Sequence, residues 1–156
     1  MRWMFPLAFL LVMLQPVEAG HSPPKVFLRI FIQTTGNGLP DTQAQTIVIP
    51  PNGETIQVRM MPEVTENNLI NAQLDPSSGG LHLYFDHVGQ VNLDAATGIN
   101  QGRIMVVMIN GYVVYAPVID EQISTGDLII PHAMSAQTLQ ALQDVAAQNN
   151  KKAARL

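Results

Sequence analysis

Residues 104–109, Ile-Met-Val-Val-Met-Ile, constrain this chain more than any other stretch. They are apolar on every side, which predicts a central strand covered on both faces. Asn110-Gly111 follows, the dipeptide most suited to a two-residue hairpin turn, because both of its central positions need positive φ. Tyr112 to Ala116 then returns as a second strand, and Pro117 ends it. A hairpin over Arg103–Ala116 with one fully buried arm needs other strands beside it and helices or strands above and below it.

The remaining patterning supplies these partners. Lys25 to Gln33 alternates, with Val26, Leu28, Ile30 and Ile32 on one face and Lys25, Phe27, Arg29, Phe31 and Gln33 on the other. The second face is part charged and part aromatic, so it is either an outer face or one that meets a partner. Thr34 to Thr42 reads as a loop. Thr46 to Ile49 is a short strand stopped by Pro50-Pro51, with a turn at Asn52-Gly53. Glu54 to Met60 alternates again and places Ile56, Val58 and Met60 inward.

Pro62 to Gln73 is predicted to be a helix. Thr65 is its candidate N-cap, and Val64 and Leu69 form a hydrophobic staple. After a loop at Asp75–Gly80, Leu81 to His87 reads as a strand. Leu81, Leu83 and Phe85 share one face, and His82, Tyr84 and Asp86 the other. A turn at Gly89 and a short helix over Asp94–Gln101 follow, closed by Gly102 in the left-handed region. Residues 118–126 are a loop and Asp127–Ile130 a last strand. Ser135–Asn149 is an amphipathic helix capped by Ser135, stapled by Met134 and Leu139, with Leu139, Leu142, Val145 and Ala146 as its apolar stripe. The expected fold is α+β: a mostly antiparallel sheet with two main helices and one short helix packed on it.

The ends are read differently. Arg2 precedes an apolar stretch from Trp3 to Leu14, and Val17-Glu18-Ala19 has the small-x-small form of a processing site. Residues 1–19 are therefore expected to be a signal peptide. The alternative is an uncleaved anchor, but the stretch falls short of the ~20 residues that span a bilayer. No other segment is expected to span one. Residues 20–24 are then an exposed leader, 25–149 a single domain, and 150–156 a basic tail carrying Lys151, Lys152 and Arg155. The 137 residues left (156 less 19) suffice for one core. The chain has no cysteine, so it is expected to hold together without disulfides and carries no lipidation cysteine after its signal. An exported, soluble product of a bacterial periplasm fits these features. The formal net charge is −4, and the body has only Lys25, Arg29, Arg59 and Arg103 to offer a polyanion, which argues against nucleic acid.

From about Gln57 to Val145 the chain resembles the head of the first periplasmic domain of SecD, an accessory subunit of the bacterial protein translocase. Met61-Pro62-Glu63-Val64-Thr65 with Asn71-Ala72 looks like that family's entry from strand to helix. Leu81-His82-Leu83-Tyr84-Phe85-Asp86 and Gly89 resemble its next strand and turn. Thr97, Asn100 and Gly102 resemble its short T-x-x-N-x-G-K segment, with Arg103 in place of the lysine. Ile104–Ile109, Asn110-Gly111, Val113 and Ala116-Pro117 are similar to its apolar strand, D-G turn and S-A-P end, and Gly126 and the helix from Ser135 complete the order. The resemblance implies an α+β module that contacts exported polypeptides and does no chemistry of its own. The family's transmembrane helices have no counterpart in these residues, so its proton-driven motor role is not expected here. Pro131-His132 stands where the family has glycine, so that corner is expected to differ.

Candidate chemistry is sparse. His82, Asp86 and His87 are the clustered ligand types, but on a strand only His82 and Asp86 share a face, and the competing reading is a polar outer face. Met60, Met61, Met105, Met108 and Met134 raise the idea of a Cu(I) site, against which stands the use of methionine as a gap-filler in cores. Ser77, Ser78, Ser124 and Ser135 sit in turn or capping contexts with no neighbouring histidine, and no hydrolase or phosphate-loop motif is present. No catalytic residue, metal or cofactor is expected.

The expected binding surface is the hairpin and the loop after it: Tyr112, Tyr115, Ile119, Asp120, Glu121, Gln122 and Ile123. Tyrosines of this kind are enriched in protein interfaces. The competing reading tucks both isoleucines under the loop and packs the tyrosines on a helix. The expected partner is a protein or an extended polypeptide added at a sheet edge; the first alternative is assembly, with the same surface making a homo-oligomer or docking on an envelope complex, and the second is a small metal-dependent enzyme using the histidine and aspartate groups.

Overall fold

The structure is a computed structural model and describes residues 26–34 and 43–155. The expected signal peptide, the leader and residues 35–42 lie outside them. The strands are β1 (Leu28–Ile32), β2 (Ala44–Ile49), β3 (Glu54–Arg59), β4 (Val64–Thr65), β5 (Leu69–Leu74), β6 (Leu81–Phe85), β7 (Met105–Ile109), β8 (Tyr112–Tyr115) and β9 (Asp127–Ile130), and the helices are α1 (His87–Ile99) and α2 (Ala136–Ala153). The strands divide among three antiparallel sheets: β4-β1-β7-β8, the hairpin β2-β3, and β5-β6-β9. The α+β class is as expected.

The apolar run at 104–109 is central, as its pattern requires. β7 pairs with β1 on one side and β8 on the other, with Ile30 opposite Val107. Met105, Val107 and Ile109 face the main core together with Leu28, Ile30 and Ile32 of β1, the inner residues of β5, β6 and β9, Leu93 and Ala96 of α1, and Leu142 and Ala146 of α2. Val106 turns the other way and meets Phe31, Ile47, Ile56 and Val58 in a second small core. The aromatic face of β1 is thus partly covered from within the chain: the β2-β3 hairpin buries Phe31 and leaves Phe27 exposed. Asn110 (φ 51) and Gly111 (φ 85) both take the left-handed region that the turn needs. The Asn110 side chain also accepts a hydrogen bond from the Phe27 amide at 2.9 Å, tying the turn to the start of β1.

The helix expected over Pro62–Gln73 does not form. Val64 instead pairs with Ile30 in β4, residues Glu66–Asn68 make one 3-10 turn, and Leu69–Leu74 is strand β5. The capping signal at Thr65 is real but caps only that turn: Asn68 Oδ1 accepts from the Thr65 amide at 3.2 Å and Thr65 Oγ1 from the Asn67 amide at 3.3 Å. Two causes end it. A bulge between Leu69 and Asn71 shifts the strand by one residue, so Leu69 and Ala72 both point inward at a spacing of three that reads as helical. In addition, α2 satisfies the carbonyls that a helix would have bonded internally. Asn149 Nδ2 donates to the carbonyls of Glu66 and Leu69 (2.8 Å each), Asn150 Nδ2 to Ile70 at 3.0 Å and Gln143 Nε2 to Ala72 at 3.0 Å.

Two further expectations change. Gly89 is not in a turn; it lies in the first turn of α1, which begins seven residues earlier than Asp94 because Asp86 caps it, accepting from the Gly89 amide at 2.7 Å. Asp86 and His87 therefore leave the strand. Met60 was expected to face inward but is 53% exposed, since β3 ends at Arg59. Ser135 caps α2 as expected, accepting from the Thr138 amide at 3.1 Å. That helix runs on to Ala153, so Lys151 and Lys152 sit in its last turn, where cations complement the helix dipole.

The Asp75–Gly80 loop is held by Asp75. The hydroxyls of Ser78 and Ser77 and the Ser77 amide all donate to its carboxylate, which keeps that group well below the usual carboxylate range. The folded state therefore binds fewer protons than the unfolded chain below about pH 4, and the contribution of Asp75 is present above that value and lost as pH falls through the lowered one. Asp75→Asn is expected to have a shallower loss of stability between neutral pH and pH 2 than the parent chain, read from urea unfolding at a series of pH values. Parallel curves would show that the loop contributes nothing to acid sensitivity.

Candidate functional site

An open hollow of about 610 Å³ lies between the loop at 117–125 and strand β9. Its floor is apolar: Met105, Ile119 and Leu128 are each at most 4% exposed. The loop is pinned along its length. Ile119 donates its amide to the Arg103 carbonyl at 2.8 Å and accepts from the Gly102 amide at 2.8 Å. Gln122 Nε2 donates to Asp94 of α1 at 2.7 Å, and the Ile123 amide donates to the buried Thr97 hydroxyl at 2.9 Å. Gly98 lets Gln122 approach, as a Cβ there would lie 3.1 Å from its side chain. Gln90 Nε2 completes the attachment by donating to the Ser124 carbonyl at 2.7 Å.

These contacts place the expected residues unequally. Tyr115 and Ile119 to Ile123 surround the hollow. Tyr112 does not; it stands 77% exposed at the far end of β8, beside a separate shallow groove with Val48 and Pro51. Ile119 is buried beneath the loop, and Ile123 and Tyr115 pack half-buried on the main core. Asp120, Glu121 and Gln122 are exposed. The Tyr115 ring meets His132 edge-on, with centroids 6.2 Å apart. Sequence reasoning missed the other wall, formed by Asp127, Leu128 and Ile129 of β9, which a four-residue strand did not advertise.

β9 is an edge strand. The Phe85 amide donates to the Gly126 carbonyl at 2.9 Å, and the register continues through Leu83 with Leu128 and Leu81 with Ile130. By antiparallel alternation Leu128 and Ile130 bond to β6, and the backbone groups of Asp127 and Ile129 point away from it. The Asp127 amide is taken by Thr125 Oγ1 at 3.2 Å, which leaves the Asp127 carbonyl and both backbone groups of Ile129 directed outward. The contrast with β5 is direct, since the edge of β5 is closed by the side-chain amides of α2.

The ligand-type residues do not converge. Asp86 caps α1 and His87 opens it, while His82 Nδ1 lies 3.2 Å from Asp127 Oδ2 on the outer face of the sheet, with Tyr84 beside it. Among the described residues no group of three or more His, Cys, Asp or Glu could hold a metal ion. Met105 is buried, Met108 and Met134 are half-buried, and Met60 and Met61 are exposed elsewhere. Ser77 and Ser78 are bound to Asp75, and Ser135 caps α2. No helix of the described residues is long and apolar enough to cross a membrane.

The sequence profile of the SecDF P1 head subdomain matches residues 39–147. The chain belongs to that family. Two solved structures share the fold of this SecDF head. One, described as the structure and function of a membrane component SecDF that enhances protein export, is 19% identical with a TM-score of 0.55, over 78% of this chain and 62% of that one. The other, a crystal structure of SecDF in the super-membrane-facing form, is 19% identical with a TM-score of 0.53, over 80% of this chain and 18% of that one. The head thus spans less than two thirds of either protein. A search of curated protein sequences gave no match. At the Pro131-His132 corner His132 does not take positive φ; Asn110 alone does so among the described non-glycine residues.

Proposed function

We propose that this chain is a non-catalytic binding head of the bacterial envelope, exported and soluble, which contacts unfolded or exported polypeptides. The observation that carries the reading is the outward-facing edge of β9 beside an apolar-floored hollow. An extended backbone is the chemical complement of a free strand edge, and its hydrogen bonds are indifferent to sequence. Tyr115, Ile119, Asp120, Glu121, Gln122 and Ile123 form the opposite wall in this reading, and Tyr112 contacts the segment only if it runs on along β8. Membership of the SecDF head family, and the link to protein export in the description of a related structure, support the same role.

The test is a titration of the isotope-labelled chain with an unfolded, export-type polypeptide, followed by amide chemical shifts. Shifts centred on Ile129 and spreading to residues 115–128 are the expected result. Absence of shifts at high micromolar concentration would sink the reading. A size that grows with the chain's own concentration would instead favour assembly, for which the exposed Val88, Val91 and Ile99 along α1 are the natural surface.

A further inference from the structure

The charge around the hollow is one-sided. Asp120, Glu121 and Asp127 line it, and among the described residues no lysine, arginine or histidine does. The nearest cation in the chain order, Arg103, lies opposite Ile119, yet the ion pairs among the described residues are Arg59 with Glu63 and His82 with Asp127. Asp120 and Glu121 therefore stand exposed and without a cationic partner among those residues. Asp127 gives one oxygen to His82, while its Oδ1 is buried with no hydrogen-bond partner. A cavity walled by one sign of charge over a low-dielectric floor concentrates counter-charge. Coordination of a metal is a poor use of this field, since the carboxylates do not converge on a point.

We infer that the hollow selects extended polypeptide segments in which lysine or arginine flanks apolar side chains, the apolar groups meeting Val118, Ile123 and Ile129 of its lining and the cations meeting Asp120 and Glu121. This rests on the binding reading above and adds a substrate class to it. The geometry suits a strand laid along β9. Successive side chains point to opposite faces, so one set meets the apolar lining while the alternate set remains at the acidic rim. Ile129 supplies the backbone pair that holds the segment in register. Asp120 and Glu121 are solvent-exposed, so they act as a filter on composition while the strand edge and the apolar lining supply most of the affinity.

The experiment compares three synthetic peptides of equal length and apolar content, carrying lysine, glutamine or glutamate at the flanking positions, for binding to the full chain by fluorescence anisotropy. At low ionic strength the lysine peptide is expected to bind about three- to tenfold tighter than the glutamine peptide, and the glutamate peptide correspondingly weaker. The preference is expected to shrink toward parity at about 0.5 M salt. In the double variant Asp120→Asn, Glu121→Gln, whose side chains make no hydrogen bond among the described residues, lysine and glutamine peptides are expected to bind nearly alike. Far-UV circular dichroism checks that this variant remains folded. Equal binding of all three peptides to the parent chain would overturn the selectivity and leave the binding head intact. Binding of none would overturn both readings. A preference for lysine that survives in the double variant would place the cation elsewhere and overturn the assignment to this rim.

Discussion

Leu83→Ala is expected to lower the unfolding free energy by about 2–5 kcal/mol, in the upper half of that range. Leu83 is fully buried in the main core and sits at the middle of β6, itself the middle strand of its sheet. Its cross-strand neighbours are Ala72 on β5 and Leu128 on β9. The alanine is already small, and the backbones on both sides are held in a hydrogen-bonded ladder, so the surroundings cannot collapse into the space that the lost methyl groups leave. Residual cavity volume adds to the transfer cost when collapse is blocked. Urea unfolding followed by circular dichroism measures this, and a drop of about 10 °C in Tm accompanies it. A loss under about 1 kcal/mol would mean that β6 is not close-packed against the helices.

Gly89→Ala sets two effects of opposite sign against each other. Helix propensity alone favours alanine by about 1 kcal/mol in a helix interior, and by less in a first turn. Packing opposes it. A Cβ at this position would lie 2.8 Å from the Cβ of Asn68 and 2.8 Å from that of Phe85, with Asp86 Oδ1 at 3.3 Å. Those Cβ atoms are fixed to their backbones and cannot swing aside by changing rotamer. Relief therefore requires α1 to move off β6 and the 3-10 turn, and overpacking of this kind costs about 1–3 kcal/mol. The helix cap makes the displacement worse, because Asp86 accepts from both the Gly89 amide and Asn68 Nδ2 at 2.7 and 3.2 Å. The expected outcome is a net destabilisation of about 1–2 kcal/mol. A variant as stable as the parent, or more so, would show that the propensity gain wins and that α1 is free to shift.

The contrast between these two residues shows where local signals end. Leu83 is legible as a core residue because Leu81, Leu83 and Phe85 alternate with His82 and Tyr84. Gly89 invites the reading of a turn, because its real constraint is a contact with Asn68, which no local pattern can show. The candidate site divides the same way. Asp120, Glu121 and Gln122 are exposed beside the hairpin as their polarity suggests, but Ile119 lies buried beneath the loop, the wall they face belongs to β9, and Tyr112 stands apart from it.

By itself the sequence determined the elements whose signal is complete within one turn or one strand: the Asn110-Gly111 hairpin, the two-sided burial of Met105–Ile109, the alternating faces of β1 and β6, and the stripe and cap of α2. Each depends on backbone periodicity or turn chemistry acting over a few residues. Only the tertiary structure decided that residues 64–74 become a short strand, a 3-10 turn and a bulged strand. There a true helix-start signal at Thr65 is overruled by pairing with Ile30 in β1 and by hydrogen bonds from Asn149, eighty residues beyond Leu69. The tertiary structure likewise decided that the edge of β5 is closed while that of β9 stays open, because side chains of α2 reach the first and the second borders the hollow.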